Sequence, residues 1–144
     1  MRLIGGIAAF AICVLIGQSK AAELIIRQDI MHNFAQDLQA LAVEMEYRPR
    51  DIKNIAEKLC SGKLEDFWRE FSMKIAECLS AEQAWEKAAK SYKGFEVLKT
   101  QELMLVIETG RSMGMLKGQD GIKILRYRSE MAEKYAEELK EQSE

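Results

Sequence analysis

The feature that most constrains this chain is its first third. No proline occurs before Pro49, and apolar residues recur at helical steps from Leu3 to Met45. The run Leu3–Gly17 (LIGGIAAFAICVLIG) is fifteen residues without a charge, preceded by Arg2 and followed by Gln18-Ser19-Lys20. A membrane-spanning helix takes about 20 apolar residues, with a lower limit near 17. The run is slightly short, but Lys20 can snorkel and Ala21-Ala22 extend it. A secretory signal peptide is the rival reading, with Ser19-Lys20-Ala21 as a small-x-small cleavage site. The pattern does not stop there: Leu24, Ile25, Ile26, Ile30, Met31, Phe34, Leu38, Leu41 and Met45 continue at steps of three and four. This predicts one long helix leaving a membrane and running into the following domain. Segment 1–20 is thus an N-terminal transmembrane anchor (or signal) and segment 21–144 a helical bundle domain. Arg2 flanks one end of the run, and Lys20 and Arg27, offset by Glu23 and Asp29, flank the other; the lysine and arginine count of two against one favours a cytoplasmic domain without fixing the orientation.

The rest of the chain reads as all-α. One proline and nine glycines in 144 residues, with abundant Ala, Leu, Glu, Lys and Met, favour helices. No stretch alternates with the period of two that strands need. A composition of 48% hydrophobic and 31% charged residues supports a packed core. The net charge of −2 and the lack of a basic stripe argue against nucleic acid.

In order, Pro49 ends the first helix near Met45–Tyr47 and suits the start of a second, whose buried stripe is Ile52, Ile55, Ala56 and Leu59. Gly62 is a natural left-handed stop. A third helix over Leu64–Leu79 carries Phe67, Trp68, Phe71, Ile75, Cys78 and Leu79 on one face, a core stripe. Ser80 and Gln83 form a capping box for a fourth helix, with Ala81, Ala84, Trp85 and Ala88 inward. Trp85 is expected to dock between the third and fifth helices. The chain breaks over Ser91–Gly94. The fifth helix, Leu98–Gly114, is capped by Thr100 and centred on Leu103-Met104-Leu105-Val106-Ile107. That centre is apolar all round, which predicts a central helix with the others packed about it. A last helix over Gln119–Gln142 has a thinner stripe of Ile122, Leu125, Met131, Tyr135 and Leu139, and its charged end Glu137–Glu144 is expected to fray. The expected core is Phe67, Phe71, Trp85, Leu103, Val106 and Ile107. Helices two/three and five/six are the expected antiparallel pairs.

The inventory of chemistry is sparse. His32 is the only histidine, so no histidine triad or multi-histidine metal site exists within one chain. Glu44 and Glu46 lie about 200° apart around a helix and cannot face one another as a catalytic pair. With Tyr47 they form either a solvated helix end or a partner contact. Gly110 and Gly114 have GxxxG spacing, read as a turn or close packing, or else a partner-binding position. Gly118-Gln119-Asp120-Gly121 lacks the ending of a phosphate loop. Cys13, Cys60 and Cys78 show no CxxC spacing and read as free thiols, with a Cys60–Cys78 pair open only if two helices bring them together. Arg48, Arg50, Lys53 and Lys58 make helix two mildly basic, a solvated face or a site for an acidic partner or lipid. No catalytic, metal or cofactor site is expected.

Ordered motifs along the chain carry a family resemblance. They are an apolar anchor opening on Met1-Arg2-Leu3-Ile4-Gly5, the signature Leu38, Leu41, Glu44, Met45, Tyr47, the pair Ala84-Trp85, and the turn Gly110–Gly114 with Met113 in a leucine place. Together they resemble the stage III sporulation protein AB family of endospore-forming Firmicutes. Two departures stand out: Lys117 and Gly121 replace a usual Asp and Gln, and no second apolar segment precedes Glu144. The soluble part resembles the cytoplasmic six-helix domain of general secretion pathway protein F. The resemblance implies a small six-helix-type bundle behind one membrane helix. It also implies a non-enzymatic platform in the mother-cell membrane, contacting a secretion-type ATPase and other proteins of the channel to the forespore. Two alternatives stay open: an exported helical interaction module cleaved after Ala21, and an inner-membrane platform component of a secretion or pilus system.

Overall fold

The computed structural model describes residues 2–47, 52–60, 62–77, 80–115 and 119–143, with side chains from Lys20 onward and none at 114 and 115. The readings placed on Cys13, Arg48, Pro49, Arg50, Cys78, Leu79, Lys117 and Gly118 fall outside that description, as do the side chains of the apolar run Leu3–Gly17. Six α-helices follow one another: α1 (Arg2–Tyr47), α2 (Ile52–Leu59), α3 (Glu65–Ala76), α4 (Ala81–Ser91), α5 (Thr100–Arg111) and α6 (Gln119–Ser143). Two 3₁₀ turns, Lys93–Val97 and Ser112–Met115, flank α5. Among the described residues there is no strand. Among the residues whose side chains are described, from Lys20 onward, no helix is long and apolar enough to cross a membrane.

α1 is 46 residues long, or about 69 Å at 1.5 Å per residue, and runs unbroken through Ser19–Ala22. Its bundle half buries Met31, Phe34, Leu38, Leu41 and Met45, at alternating steps of three and four. α6 buries Ile122, Leu125, Ser129, Ala132, Ala136 and Leu139 with the same alternation. These are matching heptad seams, and they pair α1 with α6. The pairing is antiparallel: His32 lies at Glu133, the Ala35 carbonyl accepts from Ser129 Oγ at 2.7 Å, and Glu46 binds Arg126. The sequence reading missed this pair because the α6 seam is built from small residues. Ser129, Ala132 and Ala136 allow close approach, whereas Met131 and Tyr135, counted as inward, are only partly buried. The Tyr135 hydroxyl accepts from Gln101 at 3.1 Å, towards α5.

Trp85 on α4 is the hub of the core. Its ring meets Phe34 of α1 at 6.1 Å and Phe67, Trp68 and Phe71 of α3 at 4.9, 5.5 and 5.3 Å, mostly edge-to-face. Its indole N–H donates to the Val106 carbonyl of α5 at 2.8 Å. Phe67, Phe71, Trp85 and Val106 are fully buried. Leu103 and Ile107 are only half-buried, beside an open hollow with Tyr92 and Phe95. Met104 is 41% exposed. α5 is therefore not the central helix that its all-round apolar centre predicts: it packs through one side, on α4 and α6.

Several local signals hold and several do not. Ser80 caps α4 with the complete capping box, accepting from the Gln83 N–H while Gln83 accepts from the Ser80 N–H. Thr100 is instead the first residue of α5, and Lys99 holds the cap position without a side-chain bond. Gly62 does not take the left-handed conformation; its N–H donates to the Leu59 carbonyl, closing a turn any residue can form. α6 stays helical to Ser143 because Leu139 is still buried against the bundle, so the charged end does not fray among the described residues.

Candidate interaction surface

All the shorter elements lie on one side of the α1–α6 pair. Asp37 accepts from the Trp68 indole at 2.8 Å on that side, and Arg128 donates to Glu108 of α5 at 3.3 Å. On the opposite side the two helices contact each other directly through His32–Glu133 at 3.0 Å and Glu46–Arg126. A helical wheel places Gln28, His32, Gln36, Gln39, Val43 and Glu46 on this rim of α1. Lys123, Arg126, Tyr127, Glu130 and Lys134 line the rim of α6. The result is a two-helix face, polar along its length.

That face ends in a cluster that the chain does not cover. Tyr47 is 79% exposed, Tyr127 57% and Val43 41%. The Glu46–Arg126 ion pair draws α1 and α6 together at this level, one residue from each tyrosine. Glu44 points the other way, to Lys58 of α2 at 3.6 Å. The two glutamates, about 200° apart, thus brace the end of α1 on both flanks and leave Tyr47 between them facing solvent. Exposed tyrosines beside an arginine are the side chains most enriched where proteins bind each other. Tyr127 was not singled out in the sequence, although an aromatic residue between Arg126 and Arg128 on a charged helix face is the signal that marks it.

The other candidate positions lie elsewhere. Gly110 is buried under Trp85: a Cβ there would stand 2.3 Å from the indole Cδ1, so the glycine serves close packing of α5 on α4. Gly114 sits in the second 3₁₀ turn. Neither adjoins the tyrosine cluster. His32 is half-exposed against Glu133. Cys60 is a free thiol whose pKa is pushed up by burial. Arg27 and Glu102, both nearly buried, form a two-pronged ion pair with both bonds at 2.7 Å, which raises the arginine pKa further. No group of three or more metal-ligating side chains converges among the described residues.

A family model described as stage III sporulation protein AB matches residues 2–144. No curated protein and no solved structure matches the chain.

Proposed function

The chain belongs to the stage III sporulation protein AB family, and from that premise we propose that it is a non-enzymatic, membrane-anchored scaffold of the channel between mother cell and forespore. In this reading residues 1–20 form the anchor and 21–144 the bundle, held on the cytoplasmic side of the mother-cell membrane. The partner is a secretion-type ATPase of the same channel, docked at the Val43–Tyr47–Tyr127 end of the two-helix face. The observation that carries the docking site is the exposure of Tyr47 and Tyr127 around the Glu46–Arg126 pair, at an end of the bundle remote from the apolar run.

The unbroken helix through Ser19–Ala22 favours an anchor over a segment removed after Ala21. Intact-mass measurement of the protein from sporulating cells separates the two: a mature N-terminus at Ala22 removes the anchor reading. Docking is tested by capture of the ATPase on full-length protein in nanodiscs. Tyr47→Ser with Tyr127→Ser should weaken capture at least about tenfold, the loss of roughly 1.4 kcal/mol. Unchanged capture by this variant, or no capture by the parent protein, contradicts the proposal.

A further inference from the structure

Ile25 and Ile26 are 56% and 50% exposed, on the side of α1 turned away from the bundle. They follow the apolar run on the same helix, and no glycine or proline interrupts the chain between Gln18 and Tyr47. We propose that Ile25 and Ile26 form a collar that sinks into the headgroup–acyl boundary of the bilayer and holds the lower edge of the bundle directly on the membrane. This rests on the anchor reading above.

Helix length sets the depth of the two isoleucines. Fifteen residues of apolar helix span about 22 Å, against a hydrocarbon core of about 30 Å. The missing distance, about 8 Å, is five further residues, Gln18 to Ala22. Drawing them in leaves Ile25 and Ile26 only about 5 Å beyond the hydrocarbon edge, inside a headgroup layer of about that thickness. The charges at this level suit the location. Glu23 is met by Lys99 at 3.2 Å and Arg27 by Glu102 at 2.7 Å, so each ion already has its opposite within the chain. Lys20 is exposed and long enough to reach the phosphates. One turn past Ile25, Asp29 pairs with Lys63 at 3.3 Å and sets the polar limit of the collar. Two isoleucines are far less than the roughly 800 Å² per partner that a stable protein interface buries, which favours lipid over a second copy of the chain.

The test uses the full-length protein in nanodiscs, with Cys13→Ala, Cys60→Ser and Cys78→Ser as the background. A fluorescent label is placed at one site at a time through Ile25→Cys, Ile26→Cys, Gln36→Cys or Ala11→Cys, with tryptophan emission confirming the fold. Lipids carrying a nitroxide near the headgroup should quench the label at 25 and 26 and leave that at 36 bright. Lipids with the nitroxide deep in the chain should quench the label at 11. Bright labels at 25 and 26 beside a quenched label at 11 overturn the collar and leave the anchor standing. A label at 11 that deep nitroxides never quench overturns the anchor, whatever happens at 25 and 26. Labels at 25 and 26 shielded only in discs holding two copies, and unquenched by lipid, overturn the collar in favour of self-association.

Discussion

Gly110 shows how much a single missing methyl group matters in this core. The indole of Trp85 fills the space where its Cβ would be, and that indole is held by four aromatic rings and the Val106 carbonyl. It cannot step aside cheaply. Gly110→Ala should therefore destabilise the fold by about 1–3 kcal/mol, although alanine is the better helix former. A urea titration with an unchanged midpoint would contradict this. Trp85→Ala, which leaves a cavity where those rings converge, should cost about 3–5 kcal/mol in the same assay. Asp37 makes a prediction in pH. Burial lifts its carboxyl above the ordinary 3.8, and the bond from the Trp68 indole only partly offsets this. The folded state therefore holds the proton to higher pH than the unfolded chain does. Stability contributed at this site falls as pH rises from the ordinary carboxylate value through the raised one. Asp37→Asn keeps an acceptor for the indole and removes the ionisation. Urea midpoints measured from roughly pH 4 to pH 7 should fall less with rising pH in this variant than in the parent.

At the scale of the element, what the sequence discloses depends on side-chain size. The capping box of α4, the aromatic stripe of α3 and the end of α1 at Tyr47 are legible because each rests on local chemistry or on large apolar residues. The α1–α6 pairing is not, since half of the α6 seam is Ser129, Ala132 and Ala136, which a search for large apolar residues passes over. The opposite holds for α5: five consecutive large apolar residues suggest a central helix and do not reveal that Met104 faces water. Glu102, an acid in that helix, is buried because Arg27 of α1 reaches it with both prongs, a contact 75 residues away along the chain. The pair clamps the start of α5 to α1. Glu102→Ala leaves the guanidinium nearly buried and unpaired, and should cost about 3 kcal/mol. A loss under about 1 kcal/mol in denaturant titration would place the pair among surface bridges instead. Ala132→Leu should overpack the α1–α6 seam by about 1–3 kcal/mol, read from the thermal midpoint.

For the whole molecule, the arrangement is a rigid helix with a bundle built on one side of its second half. Neither glycine nor proline offers a hinge between Gln18 and Tyr47, so the tilt of the first half sets the orientation of the bundle. The open face of the α1–α6 pair then leads from the level of Ile25 to the exposed tyrosines at the far end. Tyr47 was legible as part of a candidate contact; Tyr127 was not, because only the α1–α6 pairing brings its neighbour Arg126 to Glu46. The proposed docking of a secretion-type ATPase belongs to this far end. Hydrogen exchange on the full-length protein in nanodiscs, with and without the ATPase, tests it most directly. Docking there should slow exchange in peptides covering Val43–Tyr47 and Arg126–Tyr127 and leave α3 and α4 unchanged. Protection confined to α3 and α4, or none anywhere in the bundle, would contradict it.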